Sequence, residues 1–146
     1  MTSESAGLKA SRCASSSRVL IVDDNHDVAE AMKLLLESYG HDVRTAADGA
    51  AGLTIAAEFQ PAVVLLDLEL PVLDGYHVAQ RLRQMPWGKS ALIVALSGYN
   101  GEAERRRAEK AGCDLHIVKP VDFASLETIV RRSSAAGAKS GKKSAK

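Results

Sequence analysis

Four apolar runs of this chain end on polar side chains that could together bind a metal ion and a phosphoryl group. These side chains are three carboxylates, a hydroxyl and an ammonium, carried by Asp23, Asp24, Asp67, Ser97 and Lys119. Carboxylate oxygens are ligands for hard divalent cations, and a carboxylate can also act as a nucleophile. A hydroxyl and an ammonium stabilise the negative oxygens of a transferring phosphoryl group. The five residues form a site only if the elements before them end at the same place.

The apolar runs themselves are typical of buried strands. They cover residues 19–22, 63–66, 92–96 and 116–118, and are built mainly from Val, Ile and Leu. Short runs of this kind, bounded by turn signals, predict strands buried on both faces of a parallel sheet. In such sheets reactive groups gather just beyond the carboxyl ends of the strands. We therefore expect the carboxylates, the hydroxyl and the ammonium to converge at one edge.

Helical patterns lie between these strands. In the first, apolar residues repeat on one face from Val28 to Tyr39, Asp27 and Glu30 have capping-box spacing, and Gly40 supplies a stop. A second strand of weaker, alternating character is predicted over residues 41–46. Four more helices are predicted: from Asp48 to before Pro61, from the Asp74-Gly75 turn to Pro86, over 101–111, and from Asp122 onward. The apolar side of the first of these four is predicted to consist of Ala50, Leu53, Ala56 and Ala57. Five strands that alternate with five helices predict a doubly wound α/β fold.

Length and composition fit one compact domain. The chain has 146 residues, 46% of them hydrophobic, and a net charge of +1. Residues 1–17 have few large apolar side chains and residues 135–146 are rich in Lys, so we expect both segments to be disordered. The domain is then residues 18–134. Acids outnumber bases within it, which does not indicate a nucleic-acid-binding surface.

Cysteine usage and hydropathy predict a cytoplasmic protein that does not enter a membrane. Cys13 and Cys113 cannot build a disulfide framework, and neither has the spacing of a zinc ligand. The start of the chain lacks the apolar stretch of a signal peptide, and no run approaches the length needed to cross a bilayer.

The motifs VDD, LLDLELPVLDGY, ALSG and VKP occur in this order, each at a predicted strand end. Together they resemble the receiver domain of two-component response regulators, over residues 18–132. The segment SGYNGEAERRRAEKAGCDLHIVKPVD is similar to the receivers of hybrid sensor kinases and of related single-domain regulators. The resemblance implies a flavodoxin-like fold, with a five-stranded parallel sheet in the order 2-1-3-4-5 and five helices. Strands one and three would then lie side by side.

The resemblance also implies a magnesium site. Asp24 and Asp67 would bind Mg²⁺ directly together with the backbone carbonyl of Glu69, and Asp23 would hold one of the waters of the ion. Electrostatics agrees, because two unit charges 4 Å apart repel by roughly 4 kcal/mol at an effective dielectric constant near 20. Packed and ionised carboxylates therefore need a cation. All the available ligands are oxygens, which suits Mg²⁺.

Around the phosphoryl group, the resemblance makes Asp67 the nucleophile and places Lys119 and Ser97 on the phosphoryl oxygens. It also implies a cis bond between Lys119 and Pro120. In relatives, an aromatic side chain three residues before this lysine turns inward when the hydroxyl moves toward the phosphoryl group. His116 occupies that position here, so Ser97 and His116 are the predicted switch residues. The output surface would cover the fourth helix, the fifth strand and the last helix.

Two loop residues are predicted to modulate the lifetime of the phosphoryl group. Glu69, two residues after Asp67, is expected to overhang the site. Tyr99, two residues after Ser97, is expected to shield the site from water.

Other polar residues are expected to have structural roles. His26, His41 and His77 are predicted to face solvent, and residues 105–107 to form a solvated helix face. Ser97-Gly98 taken alone is interpreted as an ordinary turn, and Cys113 as a small buried side chain.

The predicted function is that of a phosphoacceptor signalling module, not an enzyme. A histidine kinase or a histidine phosphotransfer protein would phosphorylate Asp67 in the presence of Mg²⁺, and a downstream protein would bind the output surface. We expect no DNA-binding domain in this chain, and a homodimer is an open alternative.

Two other classes of function are alternatives. Asp67-x-Glu69 resembles the DxD nucleophile motif of Mg²⁺-dependent phosphatases of the haloacid-dehalogenase type, and turnover of small phosphate esters would distinguish that alternative. A flavodoxin-like cofactor binder is disfavoured, because Asp-Asp-Asn rather than a glycine-rich loop follows the first strand.

Overall fold

The structure, a computed structural model, describes residues 17–70, 73–98 and 101–136, with side chains described through Arg132. Tyr99 and nearly all of the two segments predicted to be disordered lie outside the described residues. The predicted domain, residues 18–134, stays a prediction, although the described chain extends slightly beyond it at both ends. Ser17 is already packed and buried, and the last helix continues to Ala136.

Five strands and five α-helices alternate along the described chain. The strands are β1 (Arg18–Val22), β2 (Asp42–Ala46), β3 (Val63–Asp67), β4 (Leu92–Ser97) and β5 (Leu115–Val118). The helices are α1 (His26–Ser38), α2 (Gly49–Phe59), α3 (Gly75–Gln84), α4 (Glu102–Ala111) and α5 (Phe123–Ala136). A short 3-10 turn, Gly88–Ser90, precedes β4 and has no counterpart in the sequence prediction. All strand pairs are parallel and their order is β2-β1-β3-β4-β5, which confirms the predicted topology.

The sheet is buried on both faces because its central strands carry apolar side chains on both. Leu20 and Val64 belong to the cluster that packs against α2, α3 and α4. Ile21 and Leu65, the next residues along the same strands, belong to the cluster that packs against α1 and α5. Alternate residues of one strand thus support opposite helical layers. Among the described residues, no helix is long and apolar enough to cross a bilayer.

Side-chain caps fix where the first two helices begin. The oxygen of Asn25 accepts a hydrogen bond from the amide of Val28 at 3.2 Å and caps α1. The predicted capping box of Asp27 and Glu30 is therefore wrong, because the chain enters the helix two residues earlier. Asp48 caps α2 as predicted.

The buried face of α2 differs from the predicted one. Ala50 and Ala57 are exposed, and Gly52 faces the sheet instead. A Cβ atom on Gly52 would lie 2.9 Å from a methyl carbon of Val22, so this helix approaches β1 more closely than a side chain allows. Apolar periodicity misses a face built on glycine, because glycine carries no hydrophobic signal.

One of the three histidines predicted to face solvent does not. His26 and His77 are exposed, but His41 is 5% exposed. The amide of Ser17 donates to His41 Nδ1 at 3.0 Å, and His41 Nε2 lies 3.9 Å from a carboxylate oxygen of Glu127 on α5. The prediction for His41 is wrong because the turn between α1 and β2 passes beneath α5, a tertiary contact that local sequence does not encode.

Candidate metal and phosphoryl-binding site

Neighbouring strands bring three carboxylates together at one edge of the sheet. β1 and β3 are paired, with Val22 opposite Leu66, so the residues that end these strands emerge side by side. One carboxylate oxygen each from Asp23, Asp24 and Asp67 lies within 4.8 Å of the other two. The predicted convergence of the acids is confirmed.

Asp23 contributes a buried carboxylate to this cluster. It is 2% exposed; Asp67 is buried to the same degree, and Asp24 is exposed. Asp23 Oδ1 accepts a hydrogen bond from the amide of Asn25 at 2.9 Å, whereas its buried Oδ2 has no partner among the described residues. Burial raises the pKa of Asp23 and the charge of Asp67 adds to this, although the hydrogen bond from Asn25 opposes it.

Lys119 supplies a positive charge from the end of β5. Its amide donates to the carbonyl of Ser97 at 2.8 Å, and its ammonium lies 3.1 Å from Asp67 Oδ2. The other oxygen, Asp67 Oδ1, accepts from the amide of Glu69 at 2.9 Å. Burial opposes the charge of Lys119, but the hydrogen bond and the charge of Asp67 outweigh it and raise the pKa of the ammonium. The bond between Lys119 and Pro120 is cis, as the sequence resemblance implied.

The end of β4 completes the site. Ser97 is buried, and its hydroxyl donates to Glu69 Oε2 at 3.1 Å. The amide of Gly98 donates to the same oxygen at 2.8 Å. Glu69 is an exposed residue, yet its side chain turns back onto these two donors. A hydroxyl and an amide thus lie at the end of β4, the strand paired with β3, while the ammonium of Lys119 contacts the nucleophile candidate, Asp67.

These residues fit a magnesium ion. The donors offered by Asp23, Asp24 and Asp67 are all carboxylate oxygens, which are the protein ligands that Mg²⁺ prefers. Asp23 Oδ2, buried and without a described partner, is a group that a hydrated divalent cation would satisfy. The role of the Glu69 carbonyl as a further ligand stays a prediction.

His116 lies on β5, half-buried, within the α4-facing side of the sheet. In the pairing of β5 with β4, His116 lies opposite Ala95. Ser97 follows Ala95 by two residues, so the side chains of His116, Ala95 and Ser97 lie on the same face of the sheet. His116 Nε2 is buried and has no hydrogen-bond partner among the described residues. Burial lowers the pKa of His116, and Arg105 acts in the same direction while Glu104 opposes it. Its role as a switch residue stays a prediction.

Sequence reasoning missed the amide of Gly98 as part of the site. Taken alone, the dipeptide Ser97-Gly98 is typical of an ordinary turn. A Cβ atom on Gly98 would lie 3.6 Å from both carboxylate oxygens of Glu69, which shows how closely that carboxylate packs on the backbone here. The available signal was a residue without a side chain immediately after a polar strand end.

Arg107 is exposed, as predicted for the helix face of residues 105–107, and it also contacts α3. Its guanidinium lies 3.9 Å from the centre of the Tyr76 ring and 3.9 Å from a carboxylate oxygen of Asp74. Asp74 caps α3, where the sequence predicted only a turn. The contact joins α4 to the start of α3, beside the site.

Comparison with known proteins agrees with this geometry. Residues 19–131 match the family model described as the response regulator receiver domain. The chain is 38% identical over 117 residues to the transcriptional regulatory protein PrrA of Mycobacterium leprae, an alignment that covers 80% of this chain and 49% of that protein. The chain spans about half the length of the transcriptional regulators it matches.

Solved structures give the same result. A CheY-like response regulator receiver domain protein from Methanospirillum hungatei superimposes with a TM-score of 0.79 and 26% identity, covering 86% of this chain and 98% of that one. The receiver domain of the sensor histidine kinase PA1611 from Pseudomonas aeruginosa was solved with a magnesium ion coordinated in its active-site cleft. It superimposes with a TM-score of 0.74 and 29% identity, covering 82% of this chain and 98% of that one. These matches do not support a phosphatase of the haloacid-dehalogenase type.

Proposed function

This chain belongs to the response regulator receiver domain family, and on that premise we propose that Asp67 accepts a phosphoryl group from a phosphohistidine. The observation that carries the proposal is the position of Asp67. Its carboxylate is buried at the end of β3, has Lys119 at 3.1 Å, and lies beside two further carboxylates. A buried carboxylate with a fixed cationic partner and a cluster of metal-ligand oxygens is what aspartyl phosphate formation requires.

In the proposed reaction a carboxylate oxygen of Asp67 attacks the phosphorus of the donor. The new O–P bond forms as the N–P bond of the phosphohistidine breaks, and the electron pair returns to the imidazole nitrogen, which takes up a proton. The amide of Glu69 holds Asp67 Oδ1 and so restricts rotation of the nucleophile. Lys119 and Ser97 then bind phosphoryl oxygens and neutralise or delocalise their charge.

We propose that Mg²⁺ is the cofactor of this step. Asp24, Asp67 and the carbonyl of Glu69 would hold the ion directly, and Asp23 would hold it through a water. When bound, the ion supplies positive charge to the phosphoryl oxygens and to the carboxylates. The magnesium in the related PA1611 receiver supports this assignment.

The partners proposed are a histidine kinase or histidine phosphotransfer protein as donor and a downstream protein that binds the surface of α4, β5 and α5. Ser97 and His116 would transmit the change to that surface, and Glu69 and Tyr99 would modulate the lifetime of the phosphoryl group. The chain would act as a phosphoacceptor, without turnover of an external substrate. We place it in the cytoplasm, where a reducing environment suits the free thiol of Cys113.

Labelling with acetyl phosphate and Mg²⁺ tests the proposal. Intact-mass measurement should show one added phosphoryl group on the wild type and none on Asp67→Asn, while Asp42→Asn, at an exposed acid of β2, should be labelled normally. Full labelling of Asp67→Asn would contradict the proposal. Sustained turnover of small phosphate esters would contradict the assignment as a phosphoacceptor.

A further inference from the structure

The Glu69 side chain places an anionic oxygen at the end of β4. Its Oε2 accepts from the hydroxyl of Ser97 at 3.1 Å and from the amide of Gly98 at 2.8 Å. Both distances are within the range of good hydrogen bonds, and both bonds end on a charged acceptor, which makes them stronger than neutral ones. The side chain is therefore held in one place although the residue is exposed.

The proposed function requires the Ser97 hydroxyl elsewhere once Asp67 is phosphorylated, and the amide of Gly98 lies next to it in the chain. A backbone amide has one hydrogen and a serine hydroxyl has one hydrogen, so neither can serve Glu69 and a phosphoryl oxygen fully at the same time. A carboxylate oxygen and a phosphoryl oxygen are also the same kind of acceptor. Glu69 therefore accepts, in this structure, the hydrogen bond of the hydroxyl that the proposed function assigns to a phosphoryl oxygen.

Charge adds to this competition. Both hydrogen-bond partners of Glu69 are uncharged groups, and the described ammonium of the site, Lys119, pairs with Asp67. The charge of Glu69 also acts on Lys119, but less than the charges of Asp67 and Asp23 do. It would repel an incoming phosphoryl group as well as withhold donors from it.

We propose that the Glu69 carboxylate is a resting-state latch, a positioning residue that holds Ser97 and Gly98 in their unphosphorylated arrangement and leaves when a phosphoryl group takes over these donors. The inference rests on the proposed phosphoacceptor function of Asp67. Two consequences follow. Loading of Asp67 is slowed by the latch, and Ser97 and Gly98 are released only when the latch opens.

Two substitutions separate the parts of the latch. Glu69→Ala removes the acceptor and its charge, whereas Glu69→Gln keeps a similar shape and a neutral acceptor oxygen. Glu58→Gln, at an exposed glutamate of α2, is the matched control. The measurements are the initial rate of labelling by acetyl phosphate with Mg²⁺ and the amide proton shift of Gly98 in the unphosphorylated protein.

We expect Glu69→Ala to be labelled at least threefold faster than the wild type, with Glu69→Gln between the two and Glu58→Gln unchanged. The Gly98 amide proton should move upfield in Glu69→Ala, because it loses a charge-assisted hydrogen bond. A merely structural role would lower the unfolding temperature and would not accelerate labelling.

The latch is refuted if Glu69→Ala is labelled no faster than the wild type, or if its Gly98 amide proton does not move. Failure of the proposed function looks different, because the wild type itself would then take no label on Asp67. In that case the proposed function and the proposed role of Glu69 are both refuted.

Discussion

Lys119 Nζ lies 3.1 Å from Asp67 Oδ2, and any cation or phosphoryl group that enters the site must share Asp67 with this ammonium. Asp23 and Asp24 add two further carboxylates within 4.8 Å. At that separation, two unit charges repel by roughly 3 to 4 kcal/mol at an effective dielectric constant near 20. One ammonium therefore leaves the cluster with excess negative charge, which a divalent cation would relieve.

Replacement of Lys119 by Met should strengthen Mg²⁺ binding several-fold and slow labelling of Asp67. The ammonium competes with the metal for the carboxylates, so its removal leaves more negative charge for Mg²⁺, while the phosphoryl oxygens lose a cationic partner. Calorimetric titration with Mg²⁺ and the acetyl phosphate rate measure the two effects. Lys33→Met, at a lysine that pairs with Glu37 on α1, is the control. Weaker Mg²⁺ binding by Lys119→Met would contradict this account.

Asp23→Asn should raise the unfolding temperature of the metal-free protein by a few degrees. The amide removes a buried like charge but keeps an oxygen that can accept from Asn25. The same substitution should abolish most of the stabilisation that Mg²⁺ gives the wild type. Thermal unfolding with and without Mg²⁺ measures both, with Asp42→Asn as a control on an exposed acid. A metal-free Asp23→Asn protein less stable than the wild type would overturn the argument.

The strands and the site could be predicted because their signals are local. Residues 63–66 are apolar throughout and the run is short, which is typical of a strand covered on both faces, and Asp67 follows it directly. Parallel strands then necessarily end at one edge, so the sequence order of the polar residues gave their convergence. The order of the strands and the roles of Asp67 and Lys119 came from resemblance, which local patterns alone do not supply.

The rest depended on contacts between distant parts of the chain. His41 is polar and follows a helix-ending glycine, a pattern typical of exposed turns, but α5 covers it. Glu69 was expected to overhang the site, yet only coordinates show that its carboxylate reaches the end of β4. The 3-10 turn before β4 was missed because its carbonyls are held by Arg83, a residue of the preceding helix.

Arg83→Met should lower the free energy of unfolding by about 2 to 3 kcal/mol. The guanidinium of Arg83, on α3, donates to groups in the segment before β4 and in the segment between α4 and β5. These partners are the carbonyls of Gly88, Ala91 and Gly112 and the carboxylate of Asp114. Each such bond contributes about 1 kcal/mol, and its loss leaves part-buried carbonyls unsatisfied. Urea unfolding measures the change, with Arg81→Met on an exposed position of α3 as control. Equal midpoints for the two variants would show that Arg83 is not a structural junction.

Stability should also decline as the pH falls from about 7.5 to about 5.5, with His41 responsible for part of the decline. Burial lowers the pKa of His41 below its ordinary value of 6.5, against the attraction of Glu127 and with a small contribution from Arg131. As the pH falls through 6.5, His41 therefore becomes protonated in the unfolded chain but stays largely neutral in the folded protein. The free energy of unfolding consequently decreases as the pH falls through this range. His41→Gln should be less stable near neutrality, because it loses the acceptor for Ser17, but should show a shallower decline. Urea midpoints across this range test the prediction, with the exposed His26→Gln as control; an equally steep decline in His41→Gln would show that His41 does not contribute.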